Sequence, residues 1–288
     1  MSNSLIRKIS NIIPTIKKHS TEKRFVKKIR NGFEANEFKM YLQFLVDVKT
    51  GEFTGAEALS RWHTASGDVI MPGDYIATMK KTGLIIKLDY YMLDKVCARL
   101  SEWKDSEFSD ISISCNVTRL TISETDFLSN VKAIADRYNF DRSKLIMEIT
   151  EDTIETNIGV ATDNVKGIKK LGFIVALDDI GAGNSSLVNL CDYSVDVVKI
   201  DRKILLTASE EQGKRLLCGI VSLAHNLGMR VVCEGVETEE QNKLARDSGC
   251  DYIQGWYYSK AIPEESIVAR SSATAADCKD DENLDLRS

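Results

Sequence analysis

Glu57, Asn116, Glu148, Asp178, Asp179, Lys199, Glu234 and Gln254 each fall late in, or just after, a short run of β-branched and apolar residues. A strand buried on both faces reads as a continuous apolar run, so an ionisable residue inside one is costly unless it is paired or coordinates a metal. Five carboxylates, two side-chain amides and one ammonium gathered in one place would repel each other without cations. The ligand set is all oxygen, without His or Cys, which favours Mg²⁺ or Mn²⁺ over Zn²⁺. The adjacent Asp178 and Asp179 and the surplus of acids suggest two ions, the arrangement that activates water for an in-line displacement at phosphorus. The expected chemistry is phosphoester hydrolysis. Taken singly, each residue has a plainer reading: a Glu at a strand end as a cap or salt bridge, Asn116 as a turn former, Lys199 as the partner of Asp196 or Asp201. Placement at strand ends, at successive intervals of 59, 32, 30, 21, 35 and 20 residues from Glu57 to Gln254, favours one shared site.

The elements that must position them alternate. Strand-like runs occur at 40–46, 53–59, 111–117, 144–149, 173–178, 195–200, 230–234 and 251–254. Helical patterns occupy 74–82, 87–103, 125–138, 155–171, 185–190, 209–227 and 238–248, several followed by Gly at 83, 172, 228 or 249 as C-caps. This predicts an α/β fold, a (β/α)8 TIM-like barrel, in which strand C-termini converge on one rim where active sites are built. A short DVKTGE turn joins the first two runs, so that pair is expected to be a hairpin, with one strand antiparallel near the N-terminus.

The chain has 288 residues, 43% hydrophobic, with 38 Lys and Arg against 43 Asp and Glu and a net charge of −5. Such a composition lies outside the disordered, collagenous and disulfide-scaffold classes. The seven cysteines are scattered without metal-ligand spacing and read as reduced thiols. No apolar stretch is long enough to span a bilayer and no signal-peptide core is evident, so a cytoplasmic protein is expected. Residues 1–33 form a basic arm; its first 30 residues hold nine Lys or Arg and one acid. It could touch anionic lipid or nucleic acid, but Pro14 interrupts its amphipathic pattern, and an arm packing its isoleucines on the main domain is the favoured reading, with no DNA binding or membrane contact expected. Residues 267–288 are an acidic tail, expected to be disordered.

The motifs carrying these residues match a known family. GAEALSRW around Glu57-Ala58-Leu59, CNVTRL (115–120), LIMEITED (145–152), LDDIGAGNSSL (177–187), VVKIDR (197–202), LAHNLGMRVVCEGVETEEQ (223–241) and GCDYIQGW (249–256) resemble the EAL domain, the bacterial cyclic di-GMP phosphodiesterase module, over roughly residues 34–266. The resemblance implies that Glu57, Asn116, Glu148, Asp178 and Asp179 bind metal, with Glu234 and Gln254 helping to hold ions or waters. It implies that Lys199 orients or helps deprotonate the attacking water, with Glu234 sharing the base role, and that Gln43 and Arg61 contact substrate. Glu151 would tether the loop after Asp179. It further implies a homodimer, and a pathway switching between motility and biofilm.

The departures cluster in that loop. Where active members typically read DDFGTGYSSL, this chain has Ile180, Ala182 and Asn184 in place of Phe, Thr and Tyr. A looser loop would weaken hold on the second metal without removing a ligand. Three functions therefore stand in order of expectation. The first is metal-dependent hydrolysis of cyclic di-GMP to linear pGpG. The second is a weakly active or inactive cyclic di-GMP receptor acting through a protein partner. The third is an interaction module that has abandoned the nucleotide, against which retention of the whole ligand set argues.

Overall fold

The computed structural model describes residues 22–150, 158–181 and 195–270. They group into two compact units, one of residues 22–39 and 60–84, the other of residues 40–59, 85–150, 158–181 and 195–270.

Aromatic packing holds the first unit together. A helix over 22–34 buries Ile29 and Phe33. The Phe33 and Phe38 rings lie 4.5 Å apart, and Phe38 stacks on Trp62 at 5.4 Å. Two polar tips are satisfied internally: Trp62 Nε1 donates to Glu37 Oε2 at 2.8 Å, and the Tyr75 hydroxyl meets Ser60 Oγ at 2.7 Å. The helix Pro72–Thr82 begins on a proline, whose missing N–H costs nothing at a first turn, and stops at Gly83, whose φ of 74° is open to glycine.

The second unit is a closed barrel of eight strands: β1 (Phe38–Asp47), β2 (Phe53–His63), β4 (Ser112–Val117), β5 (Leu145–Thr150), β6 (Ile174–Ile180), β7 (Val197–Ile200), β8 (Arg230–Cys233) and β9 (Tyr252–Gln254). Strands β2, β4, β5, β6, β7, β8 and β9 pair in parallel in that order. Strand β1 lies antiparallel to β9 and also pairs with β2, which closes the ring. The expected barrel with one antiparallel strand is therefore what the chain forms. Two strand pairs escaped the sequence reading: β3 (Val69–Ile70) on β2 and β10 (Ile262–Pro263) on β1, both too short to give a periodic signal.

Helices pack outside the ring on apolar stripes. The helix Leu84–Trp103 buries Ile85, Leu88, Met92, Val96, Leu100 and Trp103, a spacing of three and four that keeps one face inward. Two helices follow β7, Arg202–Thr207, which the sequence reading did not anticipate, and Glu211–Asn226, which fills the span expected at 209–227. The first exists because Asp201 caps it, its side chain accepting from Lys203 N at 2.9 Å; six residues are too few to show amphipathic periodicity. The helix expected at 185–190 lies outside the described residues.

Candidate active site

Parallel strands that all run the same way deliver their last residues to one rim. At the centre of that rim lies Lys199, on β7 and 2% exposed. Its ammonium stands 2.7 Å from Glu234 Oε1, 2.9 Å from Glu148 Oε2, 3.2 Å from Glu57 Oε2 and 3.5 Å from Asp178 Oδ1. Four strands thus contribute a carboxylate to one cation.

Glu57 is the most firmly held. Asn116 Nδ2 donates to its Oε1 at 3.0 Å, and Gln254 Nε2 to its Oε2 at 2.9 Å. Burial pushes the Glu57 carboxyl up, but the Lys199 charge and these two amide donors outweigh it and hold the group below its ordinary value. The other acids go the opposite way. Burial, with Glu57 as a charged neighbour, pushes Glu148 well above its usual range. Burial also raises Asp178, against the pull of Lys199, and raises Asp179, with Asp201 adding to it. Glu234 is pushed up to about 8 by burial, again against Lys199. Lys199 gains so much from Glu148 and Glu234 that its pKa rises well above normal despite burial. The cluster is short of positive charge.

Asp178 and Asp179 reach the same side by a backbone device. Successive residues of a regular strand point to opposite faces. Here the β6–β7 register shifts between Leu177 and Ile180, and Asp179 adopts a φ of 62°, a left-handed conformation in which Asp is one of the tolerated residues. Asp179 N donates to Asp178 Oδ1 at 2.9 Å. The result is that one oxygen each from Asp178, Asp179 and Glu234 lies within 4.8 Å of the others, a spacing that suits a shared divalent cation. Gln254 adds a second sign of fit: its Oε1 is buried beside this cluster and has no hydrogen-bond partner among the described residues, an acceptor that a cation or a cation-bound water would satisfy. The donor set present, all oxygen, fits Mg²⁺ or Mn²⁺.

Beyond the acids, Gln43 lines the same depression and donates from Nε2 to Ser259 O at 3.1 Å. Arg61 belongs to the other compact unit, where its guanidinium donates to Ser60 O at 2.9 Å. Ile180 is buried at the end of β6, whereas Glu151, Ala182 and Asn184 lie outside the described residues.

One positioning group was missed in the sequence. Asp89 sits in the apolar stripe of Leu84–Trp103 and is buried. Its Oδ2 accepts from Thr118 N at 2.8 Å, Thr118 Oγ1 at 2.7 Å and Thr121 Oγ1 at 2.5 Å. These bonds pin the chain two residues past Asn116, fixing the end of β4. The available signal was an acid at a position where the helical period demands an apolar residue.

An eight-stranded barrel of mixed α/β type with an acid-lined strand-end rim defines a class of enzyme-like fold. A family model for the EAL domain matches residues 26–261, and the chain belongs to that family. It is 30% identical over 240 residues to the signaling protein YkoW of Bacillus subtilis, covering 83% of this chain and 30% of that protein. To the bifunctional diguanylate cyclase/cyclic di-GMP phosphodiesterase MucR of Pseudomonas aeruginosa it is 29% identical over 242 residues, covering 84% and 35%. The chain thus spans about a third of the length of these curated relatives. Among solved structures, the PaMucR phosphodiesterase in complex with c-di-GMP matches with a TM-score of 0.79 at 28% identity, over 85% of this chain and 99% of that one. The EAL enzyme Bd1971 in its cAMP- and cyclic-di-GMP-bound form matches with a TM-score of 0.83 over 92% and 74%, at 22% identity, and so bears on the fold alone.

Proposed function

We propose that this chain hydrolyses cyclic di-GMP to linear pGpG. The observation that carries the reading is the strand-end cluster: Lys199 buried among Glu57, Glu148, Asp178 and Glu234, with Asp179, Asn116 and Gln254 completing the set. Family membership and the PaMucR complex with c-di-GMP support the substrate. In this reading residues 34–266 are the catalytic domain, and the protein acts as a homodimer.

Glu57, Asn116, Glu148, Asp178 and Asp179 would hold one or two Mg²⁺ or Mn²⁺ ions, with Glu234 and Gln254 at their edge. Bound ions would supply charge neutralisation on the phosphodiester and a more acidic water. The chain's own part is positional. Lys199, fixed by four carboxylates, orients the attacking water and balances charge gathering on the phosphoryl oxygens. Glu234, 2.7 Å from Lys199, takes the proton. The water oxygen bonds to phosphorus, the P–O3′ bond breaks, and the 3′-oxygen leaves as it takes up the proton that Glu234 received, giving a 5′-phosphate. Gln43, which lines the same depression, would contact the substrate.

The test is incubation of the purified chain with cyclic di-GMP and Mg²⁺ or Mn²⁺ while pGpG is followed, with Glu57→Ala and Lys199→Ala as controls. Formation of pGpG that both controls lose is expected. Tight binding without turnover overturns the enzyme in favour of the receptor, a reading motivated by Ile180, Ala182 and Asn184 in the loop after Asp179.

A further inference from the structure

The helix over 22–34 carries five cations, Lys23, Arg24, Lys27, Lys28 and Arg30. At about 100° per residue these fall within about 160° of arc, on the side opposite Phe25, Val26, Ile29 and Phe33. The structure follows that division. Ile29 and Phe33 are buried and the Phe25 ring lies 5.7 Å from that of Trp62, whereas all five cations are exposed. The expectation of no membrane contact assumed that packing on the domain would occupy the arm; in this helix it occupies one side and leaves the basic side outward.

This face differs from other exposed helix faces of the chain. There, a surface cation meets an acid one turn away: Lys132 pairs with Asp136, Arg215 with Glu211 at 3.2 Å and Lys243 with Asp247 at 3.0 Å. Among the described residues, none of the five cations of helix 22–34 has an ion-pair partner. One turn apart, at 23 and 27 and at 24 and 28, like charges are neighbours, which works against the helix instead of supporting it. The acids at its ends do not offset this. Glu22 is paired with Lys81 of the helix Pro72–Thr82, whose last turn adds Lys80, and Glu34 stands alone at the final residue of the arc. Such a cluster of one sign, unused by the fold, is a surface for a partner of opposite charge.

Two observations favour lipid over nucleic acid. Binding a nucleic-acid strand by stacking needs open rings, but in this compact unit Phe33, Phe38, Trp62 and Tyr75 are buried and Phe25 packs on Trp62, while its exposed large hydrophobic side chains are the aliphatic Val69 and Met71. The sequence leading into the helix interleaves isoleucines at 6, 9, 12, 13 and 16 with basic residues at 7, 8, 17 and 18. A nucleic acid would use those charges but not the isoleucines; a membrane interface takes both. We infer that the basic face of helix 22–34 docks the chain on the surface of an anionic phospholipid bilayer. The attraction acts within a Debye length, about 8 Å at physiological salt, so these five side chains and not the overall charge of −5 decide it.

Partition of the full chain onto vesicles, read by sedimentation, tests it without reference to hydrolysis. Vesicles of equimolar phosphatidylcholine and phosphatidylglycerol should bind the chain, pure phosphatidylcholine vesicles should not, and added salt should release it. Each Lys or Arg near an anionic surface contributes about fivefold in partition, so the triple variant Lys23→Gln, Lys27→Gln, Arg30→Gln should bind about a hundredfold more weakly. These positions are exposed and outside any ion pair among the described residues, so its Tm should not fall. The control Lys132→Gln, Arg215→Gln, Lys243→Gln removes the same charge from paired positions and should bind as the wild type does. Absence of binding, equal binding to both vesicle types, a triple variant that binds undiminished, or a control that loses as much overturns the docking face. So does a chain that ignores the vesicles and binds duplex DNA, which would make the face a nucleic-acid surface.

Discussion

The two ends of the barrel use the same residue types to opposite effect. At the N-terminal ends of the parallel strands, Asp196 and Asp251 each have a cation and a backbone donor. Asp196, just before β7, accepts from Lys169 Nζ at 2.7 Å and from Val175 N on β6 at 3.0 Å. Asp251, just before β9, accepts from Arg230 Nη1 at 3.0 Å, His225 Nε2 at 2.8 Å and Val231 N on β8 at 2.9 Å. Although burial works against it, Asp251 is held below its ordinary value by these donors. Each of these acids ties one strand to its neighbour and fixes their register. At the C-terminal ends four carboxylates share one ammonium with a fifth, Asp179, beside them, and four of the five are pushed above their ordinary values. Balanced charge makes structure; unbalanced buried charge is a demand for a ligand. The contrast matches the general division of labour in such barrels, chemistry on the C-terminal face and stability on the N-terminal face.

The largest break should come at the centre of the unbalanced end. Glu57→Ala or Lys199→Ala should lower kcat for cyclic di-GMP by about 10³-fold or more, since in the proposed mechanism each removes a group contacting the reacting atoms or their ions. Retention of a tenth of wild-type turnover would remove either residue from the chemistry.

Divalent ions come next. At a concentration of 100 times Kd they should stabilise the fold by about 2.7 kcal/mol, raising Tm by several degrees, and chelation should reverse it. The sign of the pH dependence follows from the acids. The folded pKa of Glu234, about 8, lies above its ordinary 4.5. Its stability contribution is therefore full below 4.5 and is lost as pH rises through about 8, and Glu148, Asp178 and Asp179 act in the same direction. The Tm of metal-free protein should fall over that window, and the Tm gain from Mg²⁺ should be larger near pH 8.5 than near pH 6, by roughly a degree or more. A gain independent of pH would mean that cations do not displace these protons.

Asp89→Ala sharpens the comparison from the helix layer. It leaves three donors around Thr118 and Thr121 unsatisfied and should cost about 2 kcal/mol in denaturant unfolding, with kcat falling about tenfold as the end of β4 loosens around Asn116. Stability lost with kcat intact would confine Asp89 to a structural role. The smallest effect belongs to the balanced rim: Asp251→Asn should cost about 1 kcal/mol, with kcat per folded molecule within about twofold. A large fall in kcat there would dissolve the distinction between the two ends.

Much of the site was legible because strands buried on both faces tolerate few polar residues, so Glu57, Glu148, Asp178, Lys199 and Gln254 stood out against their apolar neighbours. What did not stand out was geometry that leaves no periodic trace. The left-handed turn at Asp179 that lets two consecutive acids converge cannot be seen in the letters DD. Asp89 is one charge on an amphipathic helix, and its three donors come from the start of the short helix Arg119–Ile122, about 30 residues away.

By itself, then, the sequence determined the alternation of strands and helices, the barrel, its antiparallel first strand, and the identity of the acids at the strand ends, because each depends on local apolar periodicity and on the cost of burying charge. Tertiary structure alone decided which carboxylates share Lys199, which amides clamp Glu57, and which acids have their own cations. Those choices depend on which strands remote in sequence stand side by side, and so on how many carboxylates each cation must serve.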